Sequence, residues 1–272
     1  MDRFQFCIWL LGGGAWAALP LAGRAQPAPS GRLDTPGAVD MAGRLRMLSQ
    51  RCAKLYLQSG QAIAAEEARG LLRASIDQFE SHLATLQTFQ PSAAVQDALP
   101  AVQAHWSSFK ALLTTPPDKD GAAALYDANE NLQQAAHRAT VAYENLTGSP
   151  LDHLVGIAGR QRMLSQRMAK FFFYRAWNLH DAPADMELHL SRAHFTAVLT
   201  QLESSHRVLA PAKAAVVRLR REWDPYQQAL FQHRKPIDLR PQALRVAELS
   251  ESVLAASEEL VALLVAQARA PQ

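Results

Sequence analysis

Thirteen residues, Ala42–Lys54, return 116 positions later as Ala158–Lys170, and eleven of them are unchanged. The strings are AGRLRMLSQRCAK and AGRQRMLSQRMAK, differing at Leu45/Gln161 and Cys52/Met168. Recurrence at a long fixed period marks a duplicated structural unit, so the chain reads as two copies of one plan. The shared positions include Arg, Ser, Gln and Lys as well as apolar residues. Stepped at 100° per residue, Leu45, Leu48, Cys52, Leu55 and Tyr56 gather into a core stripe. Ala42, Gly43, Arg46, Met47, Gln50, Ala53 and Lys54 form a second face, as do Ala158, Gly159, Arg162, Met163, Gln166, Ala169 and Lys170 in the second copy.

A glycine inside a helix costs roughly 1 kcal/mol relative to alanine. Gly43 and Gly159 therefore imply a packing reason, such as the close approach of another backbone. Small residues beside a repeated Arg and Gln describe a helix–helix seam with donors pointing into it. A buried arginine there needs a carboxylate or a bound anion. Arg46 and Arg162 are the candidate ligand contacts, and Gln50 and Gln166 are ligand or seam residues. Arg44, Arg51, Arg160 and Arg167, at the edge of the core stripe, read as salt-bridged or solvated; Lys54 and Lys170 read as solvated.

Beyond the motif the chain is rich in helix formers and poor in strand signals. Helical stretches are expected from Thr35 to about Ser59, Gln61 to Phe89, Pro91 to Leu113 with a bend near Pro100, and Gly121 to Leu146. The second half repeats the plan over Leu151–His180, Asp185–Ser205, Ala212–Phe231 with a kink at Pro225, and Gln242–Ala268, with Pro183, Pro211, Pro236 and Pro241 at the joints. Ser149-Pro150 reads as an N-cap followed by proline at the first helical position. Trp106 and Phe109 return as Trp223 and Tyr226 and are read as core anchors. Four amphipathic helices per copy with short joints give an all-α fold of two tandem antiparallel four-helix bundles. The short Gly148-Ser149-Pro150 joint favours a reversal that lays the two motif helices side by side and parallel; end-to-end stacking is the rival.

Residues 1–25 read as a secretory signal. Arg3 supplies the positive start, Phe4–Leu21 is nearly free of charge, and Gly23-Arg24-Ala25 offers a cleavage site after Ala25. An uncleaved anchor is the alternative. Residues 26–34 form a Pro/Gly/Ser-rich leader, followed by repeats over 35–147 and 150–270. No later run is long enough to span a membrane, so a periplasmic protein is expected. Without residues 1–25 the chain carries 26 basic and 24 acidic residues, which gives no support to nucleic-acid binding. Cys52 alone remains of the two cysteines, so no internal disulfide forms, and its stripe position makes a buried, inert thiol. His189 and His194 stand five apart, off one helix face, and read as surface residues. No metal-ligand spacing, phosphate loop or nucleophile motif appears, so no cofactor, metal or catalytic residue is expected.

The string AGRQRMLSQR at Ala158–Arg167, with its near copy at Ala42–Arg51, resembles the signature of the NarX-like/PilJ-type sensor domain. That domain is the N-terminal periplasmic part of nitrate/nitrite sensor kinases and of type IV pili methyl-accepting chemotaxis transducers. The residues after the motif glycine, Arg44-Leu45 and Arg160-Gln161, and the following Leu-Ser-Gln resemble the chemotaxis branch more than the nitrate sensors, which carry Ser-Leu and Gln-Ser-Tyr there. The resemblance implies a four-helix bundle that dimerises, with an arginine three residues after the motif glycine holding an anion at the interface. By motif match these are Arg46 and Arg162, with Gly43 and Gly159 beside them. It implies a non-enzymatic binding or sensor protein for a small oxyanion, nitrate or nitrite foremost, with a membrane-bound sensor or chemotaxis transducer as partner. The alternative is a structural or adaptor protein for such machinery that uses the seam only for packing.

Overall fold

The structure, a computed structural model, describes residues 33–270. The expected signal segment at 1–25, and the leader as far as residue 32, lie outside the described residues. Among the described residues eight long helices carry the fold: α1 Thr35–Gly60, α2 Ala65–Gln87, α3 Ala93–Leu113, α4 Lys119–Glu144, α5 Pro150–Ala176, α6 Asp181–Ser204, α7 Ala210–Phe231 and α9 Ala243–Arg269. The short α8, Pro236–Leu239, and a 3₁₀ turn, Arg240–Gln242, lie between α7 and α9. Side chains at the starts fix several boundaries. Asp34, Ser92, Asp118 and Ser149 each accept a bond from a first-turn backbone N–H, and Pro150 occupies the first turn of α5.

Within the first copy α1 packs on α2 and α4, and α3 packs on α4; α5, α6, α7 and α9 repeat those pairings. Phe79 stacks on Trp106 at 3.8 Å and Phe195 on Trp223 at 4.2 Å, so the aromatic anchors clamp the second helix of each bundle to the third. Cys52 is fully buried, and that burial pushes its thiol up to about 12.

The motif helices α1 and α5 pack side by side and parallel. Arg162 meets Asp40, Arg167 meets Gln50, and Gln61 Nε2 donates to the carbonyl of Phe173, a register that advances together along both helices. Gly148, at φ 62°, turns the chain between α4 and α5 in the left-handed region that glycine adopts freely. The two bundles are thus joined along one seam, and the described residues form a single compact unit.

Several helix ends differ from the sequence reading. Residues Gln61–Ala64 form a turn, with Ala62 and Ala64 at positive φ. Asn178 and His180 repeat that backbone 116 positions later and end α5 early. Alanine gives no sequence cue for a left-handed turn, so the sequence pattern alone carries the second helix back to Gln61. Pro183 falls inside the first turn of α6, where a missing N–H leaves no helical bond unmade. Helices α3 and α7 continue past Pro100 and Pro225.

Candidate functional site

The second face of the motif is the α1–α5 seam, and its polar residues lie in layers. Lys54 and Lys170, expected in solvent, are fully buried there. Each meets a carboxylate from the fourth helix of the other bundle. Lys54 and Arg51 pair with Glu251 of α9, and Lys170 and Arg167 pair with Glu130 of α4. Burial lowers Lys170 to about 8 against the pull of Glu130. Burial would raise Glu130 and Glu251, yet their paired cations hold both at about 2. Lys54 donates to Ser250 at 3.0 Å and Lys170 to Asn129 at 2.8 Å, so the layer repeats its own symmetry.

The next layer holds Gln50 and Gln166, both fully buried. Gln166 Nε2 donates to the carbonyl of Ser250 at 2.9 Å, while its Oε1 has no partner. Gln50 Oε1 accepts from Arg167 at 3.5 Å.

In the layer above, Arg46 and Arg162 converge, 1% and 0% exposed. A Cβ placed on Gly43 would stand 3.3 Å from Nη2 of Arg162 and 3.6 Å from Nη2 of Arg46. On Gly159 it would stand 3.2 Å from Nη2 of Arg162. The glycines let both guanidinium groups settle against bare helix backbone.

Their counter-charges differ. Arg162 Nη1 lies 2.6 Å from Asp40 Oδ1 and 3.3 Å from Glu258 Oε2, and its Nη2 donates to the Asp40 carbonyl at 3.3 Å. Arg44 joins the same two carboxylates. Burial works to lower Arg162, but Asp40 and Glu258 hold it above its ordinary value; burial likewise opposes Asp40, which Arg162 and Arg44 keep below the usual carboxylate range. Arg46 has no carboxylate within ion-pair distance among the described residues. Its Nη1 donates to Nδ1 of His137 at 3.3 Å, which requires that ring nitrogen to be unprotonated, and its Nε and Nη2 are buried without a partner. Arg162 Nε is also unpartnered. Burial first, then Arg160 and Arg162, lower Arg46 to about 10 against Glu144, so it remains a cation at neutral pH. His137 is lowered by burial and by Arg46, Arg160 and Arg138, and His82 of α2, beside the Arg162 cluster, falls to about 4 chiefly through burial.

All six residues picked from the sequence, Gly43, Arg46, Gln50, Gly159, Arg162 and Gln166, are thus drawn into one seam. Sequence reasoning missed Asp40, Glu130, Glu251, Glu258, Asn129 and His137, which come mainly from the fourth helices. Their cue is weak: α4 and α9 correspond at an offset of 121, not 116, and only Glu130/Glu251 keeps its identity among the polar pairs. None of the described helices is long and apolar enough to cross a membrane.

The family described as type IV pili methyl-accepting chemotaxis transducer N-terminal (PilJ) matches the chain twice, over residues 34–139 and 151–252. No curated protein and no solved structure matches.

Proposed function

The chain belongs to the type IV pili methyl-accepting chemotaxis transducer N-terminal family, and from that premise we propose an exported, periplasmic, non-enzymatic sensor-type protein that takes one small oxyanion in its α1–α5 seam. Nitrate or nitrite is the leading ligand. The observation that carries the reading is Arg46, a buried guanidinium with two nitrogens unpartnered and no carboxylate in contact among the described residues. A buried donor left unpaired costs about 1–3 kcal/mol, and more when charged. A planar oxyanion supplies several acceptors in the geometry that a guanidinium fork presents. Gly43 and Gly159 let the two guanidinium groups lie against bare helix backbone, and Gln50 and Gln166 form the next layer of the same seam.

A second reading has its own support. Arg51, Lys54, Arg162, Arg167 and Lys170 are all paired internally, so most of the motif's cations serve packing. That favours an adaptor for membrane sensor or pilus chemotaxis machinery without a small ligand. Calorimetric titration with nitrate, nitrite, sulfate and phosphate separates the two. The sensor reading expects saturable binding of at least one anion, weakened by about 1.5–3 kcal/mol in Arg46→Ala, the range for a hydrogen bond to a charged group. If none of the four binds or raises the melting temperature, the adaptor reading replaces it.

A further inference from the structure

The two bundles are related by an internal two-fold, which makes the arginine layer a comparison of like with like. Offsets of 116 between α1 and α5, and 121 between α4 and α9, pair Arg46 with Arg162, Arg44 with Arg160, Asp40 with Gly156 and Glu258 with His137. The register of α4 and α9 is fixed independently by the lysine layer, where Glu130 and Glu251 make equivalent bonds. Around Arg162, two arginines (Arg44, Arg162) face two carboxylates (Asp40, Glu258), and all four are ion-paired. Around Arg46 the two arginines (Arg46, Arg160) remain, but glycine and histidine stand where the carboxylates were. The carboxylate that opposes the lowering of Arg46 is Glu144 of α4, whose side chain lies over Gly156, so closely that a Cβ on Gly156 would overlap its carboxylate. Glu144 acts on Arg46 without reaching ion-pair contact.

Resting on the reading above, we propose that the anion site is one-sided: Arg46, Arg160 and His137 take the ligand beside the unpartnered Nη2 of Arg46, while Asp40 and Glu258 are built-in counter-ions that permanently fill the twin half at Arg162. Two parts of the molecule would otherwise be equivalent: Nε is unpartnered on both arginines, and the difference lies at Nη2, which is orphaned on Arg46 and paired on Arg162, where the carboxylates stand. Glu144 offsets one of the two positive charges on the open side, which leaves room for a monoanion and disfavours a dianion. His82, on α2, faces the closed half among Asp40, Arg44, Arg162 and Glu258 and takes no part in the open one.

The test uses the full chain and nitrate, with nitrite, sulfate and phosphate as further probes. Calorimetry should give one anion per chain. Nitrogen-15 spectra of the arginine Nε–H groups, assigned with Lys variants, should show the Arg46 signal moving on saturation while the Arg162 signal stays in place. In an Arg46→Ala background that has lost binding, Asp40→Asn with Glu258→His should restore it to within roughly tenfold of the parent, because Arg162 is then freed. Two anions per chain, equal movement of both arginine signals, or no recovery in a double variant that circular dichroism shows to be folded, each overturns the one-sided site alone. If that variant does not fold, the spectra of the unaltered chain decide. A parent that binds none of the four anions removes the proposed function and this inference together.

Discussion

At the scale of single residues, equivalence in sequence conceals opposite roles. Arg162→Ala leaves Asp40 and Glu258 facing each other across a buried layer with only Arg44 between them. Breaking a buried ion pair by removing one partner costs about 3–5 kcal/mol, and chemical denaturation should read a loss of that order. Arg46→Ala removes a buried charge that has no carboxylate partner. Without added anion it should unfold at the same denaturant concentration as the parent, or a higher one, while losing anion binding. A pair of variants that destabilise equally would contradict the unequal pairing of the two arginines. Cys52 offers a simpler check: buried, with its thiol pushed up to about 12, it should resist alkylation at neutral pH until the protein is unfolded.

The element that organises the molecule is the α1–α5 pair. Ridges of ordinary side chains hold helix axes 8–10 Å apart, whereas this seam is lined by Ala42, Gly43, Ala158 and Gly159 around two large cations. Gly43→Leu drives a side chain into Nη2 of both Arg46 and Arg162, so it should lower the melting temperature and abolish anion binding together. A leucine of the same size at the exposed Arg73 should do neither. The lysine layer makes the seam sensitive to acid. Glu130 and Glu251 are held at about 2 in the folded protein, against an ordinary 4.5. Between those values the unfolded chain binds more protons than the folded one, so stability rises with pH across the window and is lost as pH falls from about 4.5 toward 2. Melting curves over that range should show the decline, and Glu130→Gln should flatten it while lowering stability at neutral pH.

For the molecule as a whole, two bundles in one chain imitate a symmetric dimer but need not keep its symmetry. A homodimer cannot delete a carboxylate from one copy only; a duplicated chain can, and here Asp40/Gly156 and Glu258/His137 have diverged. A ligand that binds only the folded state stabilises it by mass action, by about 2.7 kcal/mol at a hundred times its dissociation constant. The anion that binds in calorimetry should therefore raise the melting temperature in proportion to the logarithm of its concentration. An anion that raises the melting temperature of Arg46→Ala equally would be acting through general salt effects and not through the seam.

The sequence alone determined the duplication, the all-helical class and the face that becomes the seam. Each of these rests on spacing along one chain: 116 residues between copies, and about 100° between successive side chains of a helix. That spacing drew Gly43, Arg46, Gln50 and their counterparts into one candidate site. It did not reveal which of those cations are neutralised. Lys54 and Lys170 looked solvated because their carboxylates lie on α9 and α4, far along the chain and in the opposite bundle. The difference between Arg46 and Arg162 was equally hidden, since both sit in identical local strings. It arises where four helices meet, at Asp40, Glu258, Gly156 and His137. Only the tertiary structure decided it, because the energy of a buried charge is set by what lies within a few ångströms in space, and those neighbours come from helices whose register the local periodicity does not fix.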